Sequence, residues 1–281
     1  MALTEVEIKE LEEQARQLRH DIIDVTVWAG GAHIGGGLSM LDILVLLYFK
    51  YLNIDPAQPE MPDRDRVIVS KGHGGVGYAP VLSRRGYFDF DELKSFNQFG
   101  SPFGMHLDAA KVTGVDVSTG SLGHGLPMAV GLALGARSQG ASWKTYCVLG
   151  DGECNEGSVW EAAMAAAHFK LTNLVIFVDR NGYMIDGATE EVMGLEPFSD
   201  KWRAFGFHVL EVDGHDFKAL ASAIDTSLSG EKGPCVIMAH TKKGKGVDFM
   251  ESNVKWHYGS IDSTLAEAAH ASVDKMEGRG A

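Results

Sequence analysis

The chain has 281 residues, 45% of them hydrophobic, and its 25 Lys plus Arg against 38 Asp plus Glu give a formal charge of -13. That length and apolar content suffice for one large domain with a real core. The acidic balance excludes nonspecific attraction to nucleic acid or anionic membrane, so an anionic ligand would need a local basic or amide-rich pocket.

Along the chain, Val6 to Val27 carries apolar residues at helical spacing (Leu11, Ala15, Leu18, Ile22, Val25), and Leu41 to Phe49 predicts a second, more buried helix. Between them, Gly30 to Gly37 reads as a glycine-rich turn carrying His33. The opening stretch Glu5 to Arg19 mixes acids and bases and does not have the pattern of a secretory signal, which gives a cytoplasmic expectation. The apolar runs, such as Leu41 to Phe49 and Leu174 to Val178, fall well short of the roughly 20 residues that cross a bilayer. From Arg66 onward, short apolar strands alternate with glycine-rich loops and helices. The strands are Val67 to Ser70, Thr145 to Leu149, Leu174 to Val178, Phe207 to Val212 and Cys235 to His240. This order predicts an α/β fold, a parallel sheet with helices on both faces, within a single domain over 1–281 whose tail after about 265 is peripheral and frays after Met276. Lys94 to Asp116 has no period and reads as a long excursion over a pocket. Cys147, Cys154 and Cys235 are too few and too irregular for disulfides or a zinc site, and read as reduced, buried thiols.

Open α/β sheets bind ligands at the carboxyl ends of their strands. Gly150-Asp151-Gly152-Glu153 follows one strand there, and Asp179-Arg180-Asn181-Gly182 follows the next, with a single crossover helix, Gly157 to Phe169, between them. Asp151, the Asn181 amide oxygen and the Tyr183 backbone carbonyl form a hard-oxygen set suited to Mg²⁺, Ca²⁺ or Mn²⁺ gripping phosphate oxygens. Gly150 and Gly152 would let backbone amides approach those phosphates. A lone Gly-Asp-Gly is a common turn; the strand-helix-strand spacing is what gives this one weight. No P-loop is present, since Lys242 to Gly246 lacks the spacing and the closing hydroxyl, and no dinucleotide fingerprint sits between a strand and a helix.

With its span of some thirty residues to Asn181, this motif resembles the signature of the thiamine-diphosphate enzymes, except that Gly182 stands where a second Asn is usual. Five further stretches resemble the transketolase family: Gly31 to Gly36, Ser70 to His73, the degenerate Met105 to Asp108, Ser118 to Gly123, and Trp256-His257 after Lys242 to Gly246. The likeness runs from about Leu11 to about Gly259 and implies the thiamine-diphosphate-binding fold. It implies that His73 and His257 contact the diphosphate, with His257 also near substrate, and that His33 and His106 bind sugar hydroxyls. Gly120, Ser121 and Leu122 would lie against thiamine diphosphate, as would Gly150, Gly152, Glu153 and Asn181. His124 replaces a usual Gln and reads as supporting; His168 and His215 read as structural. Glu156 and, less strongly, Glu161 match a carboxylate network between paired active sites. The family's activating glutamate and phosphate-binding arginines belong to a pyrimidine-binding domain beyond the extent of this resemblance. The expectation is therefore the N-terminal subunit of a heteromeric transketolase. It would transfer a two-carbon ketol unit between sugar phosphates, pair with a C-terminal subunit, and homodimerise within an α2β2 heterotetramer. The α-type subunit of a 2-oxo-acid dehydrogenase shares the motif but not His33, His73 and His257, and a non-catalytic cofactor-binding regulatory subunit is the remaining alternative.

Overall fold

The structure, a computed structural model, describes residues 3–278. Five strands, β1 (Arg66–Val69), β2 (Thr145–Gly150), β3 (Leu174–Arg180), β4 (His208–Asp213) and β5 (Cys235–His240), pair in parallel in the order β1-β2-β3-β5-β4. The predicted strands differ from these by at most two residues at an end. The helices are α1 (Glu5–Trp28), α2 (Ile34–Ser39), α3 (Leu41–Leu46), α4 (Gly75–Arg85), α5 (Gly125–Gln139), α6 (Gly157–His168), α7 (Thr189–Val192), α8 (Phe198–Ala204), α9 (Phe217–Ser229) and α10 (Ser263–Asp274).

Strand periodicity sorts the core into two. Tyr146, Val148, Val175, Phe177 and Ile237 pack with α1, α3, α4, α9 and α10, whereas Cys147, Leu149, Ile176, Val178 and Val236 pack with α5, α6 and α8. Successive side chains leave opposite faces of a strand, so an unbroken apolar strand requires helices on both sides. The sheet has that cover. All three cysteines are buried thiols.

Three expectations need correction. The glycine-rich stretch carrying His33 is not all turn: Ile34–Ser39 is helical and wholly buried. The helix expected over 41–49 divides into α3 and a π-helical turn, Leu47–Tyr51. The stretch after 265 is not peripheral, because α10 lies against α1 with Ala269 and Val273 buried and His270 Nδ1 2.7 Å from His20 Nδ1. The expected fraying after Met276 falls partly on residues 279–281, outside the described residues.

The excursion is held down. Phe96, Phe103, Leu107 and Val112 enter the core, the Asp116 carboxylate accepts the Val67 N–H at 2.7 Å, and the Thr119 hydroxyl donates to the Val69 carbonyl at 2.7 Å. This segment thus runs along the free side of β1. His215 has the structural role expected of it: Nδ1 is 2.6 Å from Asp42, which also pairs with buried Arg19 at 2.8 Å, and Nε2 accepts the Lys242 N–H at 2.9 Å. His168 ends α6 against the Phe169 ring. Among the described residues, no helix is long and apolar enough to cross a membrane.

Candidate cofactor and metal site

The loops after β1, β2, β3 and β5 meet at the carboxyl edge of the sheet. The β1 loop brings Lys71 and His73, the residue before α2 is His33, and His257 follows a short turn, Val254–Trp256. Ring centroids lie 5.0 Å apart for His33 and His73, 5.3 Å for His33 and His257, and 5.5 Å for His73 and His257. His106 is exposed beside them, so close to Gly120 that a Cβ there would stand 3.0 Å from its ring. Four histidines distant in sequence thus share one place.

Burial comes first among the causes that keep three of them neutral, followed by neighbouring positive groups. His33 is pushed down to about 4 by burial, then His106, Lys243 and Lys71; His73 to about 2 by burial, then Lys71; His257 to about 3 by burial, then Lys243. Lys243 is buried, its Nζ 2.7 Å from His257 Nδ1 and 3.3 Å from the Tyr183 carbonyl, and burial lowers it to about 8. An ammonium donating into Nδ1 leaves the His257 proton on Nε2. His33 Nδ1 is buried without a protein partner, a polar atom in want of a ligand.

This has a stability consequence. Below the unfolded value of about 6.5, the unfolded chain binds protons that folded His33, His73 and His257 refuse. Stability therefore falls as pH drops from about 6.5 toward 4. We expect a lower urea midpoint at pH 5 than at pH 7, and a smaller gap between the two in a His33→Gln/His73→Gln double variant. An unchanged gap would remove these histidines as the cause.

On the neighbouring strand ends, β2 and β3 align Gly150 with Asp179. Asp151 is buried; its Oδ2 accepts the Gly182 N–H at 2.6 Å, so its carboxylate faces the Asn181–Tyr183 turn. Gly182 has φ +80°, the left-handed region that Gly and Asn tolerate best, which accounts for Gly where the motif usually has a second Asn. Burial, and then Asp179, pushes the Asp151 carboxyl upward. Such a site gains from a bound cation, and its oxygens suit a hard one. The donor set therefore fits a divalent metal. Among the described residues, no group of three His, Cys, Asp or Glu side chains could hold one, so the candidate depends on one carboxylate, one amide oxygen and one carbonyl.

Several predicted contacts look different in detail. The Gly150 amide donates to Glu153 at 3.0 Å and the Gly152 amide to Asp151 at 2.8 Å. The Glu153 carboxylate also accepts from Ser70 and from the Gly123 N–H at 2.9 Å, binding three loops together. Leu122 is half-buried, Ser121 and His124 are exposed, and Glu156 and Glu161 lie exposed on α6 and at its start.

Sequence reasoning passed over the buried Lys71–Asp179 pair. Lys71 Nζ is 2.5 Å from Asp179 Oδ2 and 3.0 Å from the Gly36 carbonyl; burial acts to raise the Asp179 carboxyl, yet Lys71 and the hydroxyls of Ser39 and Thr241 hold it low. Leaving one member of a buried pair alone costs about 3–5 kcal/mol. Lys71→Met should lose that much in urea unfolding at pH 7, and a loss under about 1 kcal/mol would show that Asp179 finds another partner.

The family described as "Transketolase, thiamine diphosphate binding domain" matches residues 9–272. A 6-deoxy-6-sulfo-D-fructose transketolase subunit of a Clostridium species is 39% identical over 95% of this chain and 97% of its own length. An apulose-4-phosphate transketolase subunit of Phocaeicola vulgatus is 40% identical over 96% of each. Campylobacter jejuni transketolase superposes with a TM-score of 0.89 at 30% identity over 95% of this chain, which spans only 43% of that one. The chain therefore belongs to the transketolase family and comprises its thiamine diphosphate binding domain.

Proposed function

We propose that the chain is the thiamine-diphosphate-binding subunit of a two-chain transketolase, active with a C-terminal-type partner and a divalent metal such as Mg²⁺. One observation carries this: a histidine and lysine cluster stands beside a hard-oxygen set on a chain as long as relatives named transketolase subunits, yet under half as long as a solved transketolase. Thiamine diphosphate, when bound, supplies the carbon nucleophile and electron sink for breaking a carbon–carbon bond beside a ketose carbonyl.

This chain's residues would bind, orient and move protons. Asp151, Asn181 and the Tyr183 carbonyl would hold the metal. His73, His257 and Lys243 would face the diphosphate, with Gly120 and Leu122 against the rest of the cofactor and Ser121 at its rim. Gly150, Gly152 and Glu153 would shape the loops around it. Neutral His33 can donate to one sugar hydroxyl and accept from another, His106 would hydrogen-bond a second part of the sugar, and His257 can offer its Nε2 proton. The substrates would be a ketose phosphate donor and an aldose phosphate acceptor. Two similar relatives are named for different sugars, so likeness to them does not choose the donor. Glu156 and Glu161, both exposed, would meet a second copy in an α2β2 assembly.

Calorimetry and steady-state kinetics on the assembled enzyme test the assignments. His33→Ala should lower ketol transfer with cofactor affinity nearly unchanged, whereas His73→Ala should weaken cofactor binding first. Equal loss of affinity in both would reverse the roles.

A further inference from the structure

We propose that Arg180 is a positioning residue that ties the metal-ligand turn to the segment folded over it, and so sets the geometry of Asp151, Asn181 and Tyr183. The inference rests on the cation-site reading given above.

Arg180 ends β3 between Asp179 and Asn181. Its Nη1 lies 3.0 Å from Thr189 Oγ1 and 3.4 Å from Asp151 Oδ2; its Nη2 lies 3.0 Å from Glu196 Oε1 and 3.2 Å from Glu190 Oε1. The guanidinium also sits 5.3 Å from the buried Phe198 ring. One planar group therefore serves acceptors from the β2 loop and from residues 189–196. An always-charged fork with five N–H donors can do this, and a single ammonium cannot.

The backbone completes a ring. After Tyr183 the chain reverses, with Met184 N–H donating to the Gly187 carbonyl at 2.8 Å and a bridge between Tyr183 and Ala188. Buried Thr189 then donates its N–H to the Gly182 carbonyl at 2.9 Å, while the Gly182 N–H donates to Asp151. Arg180, Thr189, Gly182 and Asp151 form a closed circuit. Glu190 is fixed as well, since it accepts the N–H groups of Leu195 and Glu196 at 3.1 and 3.3 Å. The ligand turn is thereby held from both sides.

Charge and geometry predict opposite signs for removing Arg180. A lone cation beside Asp151 would repel a metal, so its loss would tighten metal binding. Here Glu190 and Glu196 share the same guanidinium, which offsets that repulsion. Geometry should therefore dominate, and loss of the fork should let Asp151 turn and the Asn181–Tyr183 turn slacken.

The test uses the full chain assembled with its partner subunit. In Arg180→Gln, Mg²⁺-dependent thiamine diphosphate affinity measured by calorimetry should fall about 10–100-fold, the usual cost of losing a group that orients metal ligands. Hydrogen exchange at the Gly182 and Thr189 amides should speed up in metal-free protein, a readout independent of any loaded enzyme. Arg180→Lys should not restore either property. Thr189→Val, which keeps the charge and removes the hydroxyl that accepts from Arg180 at 3.0 Å and donates to the Gly182 carbonyl at 3.4 Å, should reproduce part of both effects even if Arg180→Gln folds poorly. Unchanged or tighter affinity with unchanged exchange, or full rescue by Lys, would overturn the inference. Failure of the unaltered chain, assembled with its partner, to bind Mg²⁺ and thiamine diphosphate would instead overturn the cation-site reading beneath it.

Discussion

Ketol transfer by the purified chain alone should be absent and should appear on adding a C-terminal-type subunit of roughly 300 residues, a size set by ordinary domain lengths. The site offers neutral histidines and a low-pKa lysine at the diphosphate side. The carboxylate that would activate the aminopyrimidine is the part that the family resemblance assigns to the other domain. A positioned acid or base contributes about 10²–10⁴-fold, so turnover without the partner should be lower by at least that much. A shared site also couples binding events: the partner should tighten thiamine diphosphate binding by the same factor by which the cofactor tightens pairing of the two chains. The decisive assay follows transfer from a ketose phosphate to an aldose phosphate, using each chain and their mixture with thiamine diphosphate and Mg²⁺ throughout. Robust turnover by the single chain would sink the two-chain reading.

Asp151→Ala should remove Mg²⁺-dependent cofactor binding while leaving the fold intact. Asp151 supplies the only charge in a donor set otherwise made of an amide oxygen and a carbonyl. Changes around metal ligands already cost about 10–100-fold, so losing this ligand should exceed about 100-fold in affinity. The sheet and its helices should tolerate it, because the groups that Asp151 accepts from, the Gly152 and Gly182 N–H groups and Arg180, all lie at the carboxyl edge of the sheet. Calorimetry gives the affinity and urea unfolding the stability. A variant that binds as tightly as the parent would show that the metal sits elsewhere.

The sheet was legible because its period-two pattern is local: Cys235–His240 has the predicted bounds, and the alternation that buries Cys147 and Tyr146 on opposite faces is visible in the chain itself. The helix at Ile34–Ser39 was hidden by its three glycines, which are poor helix formers. They are there for close approach: a Cβ on Gly35 would stand 2.5 Å from the Trp256 carbonyl, and one on Gly77 2.7 Å from Gly37. The aspartate and histidines of the site were readable through their motifs. Lys71 and Lys243 were not, since a lysine reads as surface until the fold brings Asp179 or Tyr183 beside it. Arg180 was missed for the same reason, as its acceptors come from elements that only tertiary structure gathers.

The segment along β1 matters for assembly. An edge strand ordinarily displays unpaired N–H and C=O groups that recruit another strand, either usefully or as aggregation. Here the Asp116 carboxylate and Thr119 hydroxyl take the Val67 N–H and Val69 C=O. Sheet extension from this side is blunted without a proline or a bulge, and a partner would have to dock through side chains. The same hook sets the register of Thr119 against the strand, and with it the position of Gly120 one residue later. A single pair of hydrogen bonds thus both guards the sheet edge and indexes the loop that carries Gly120 beside His106.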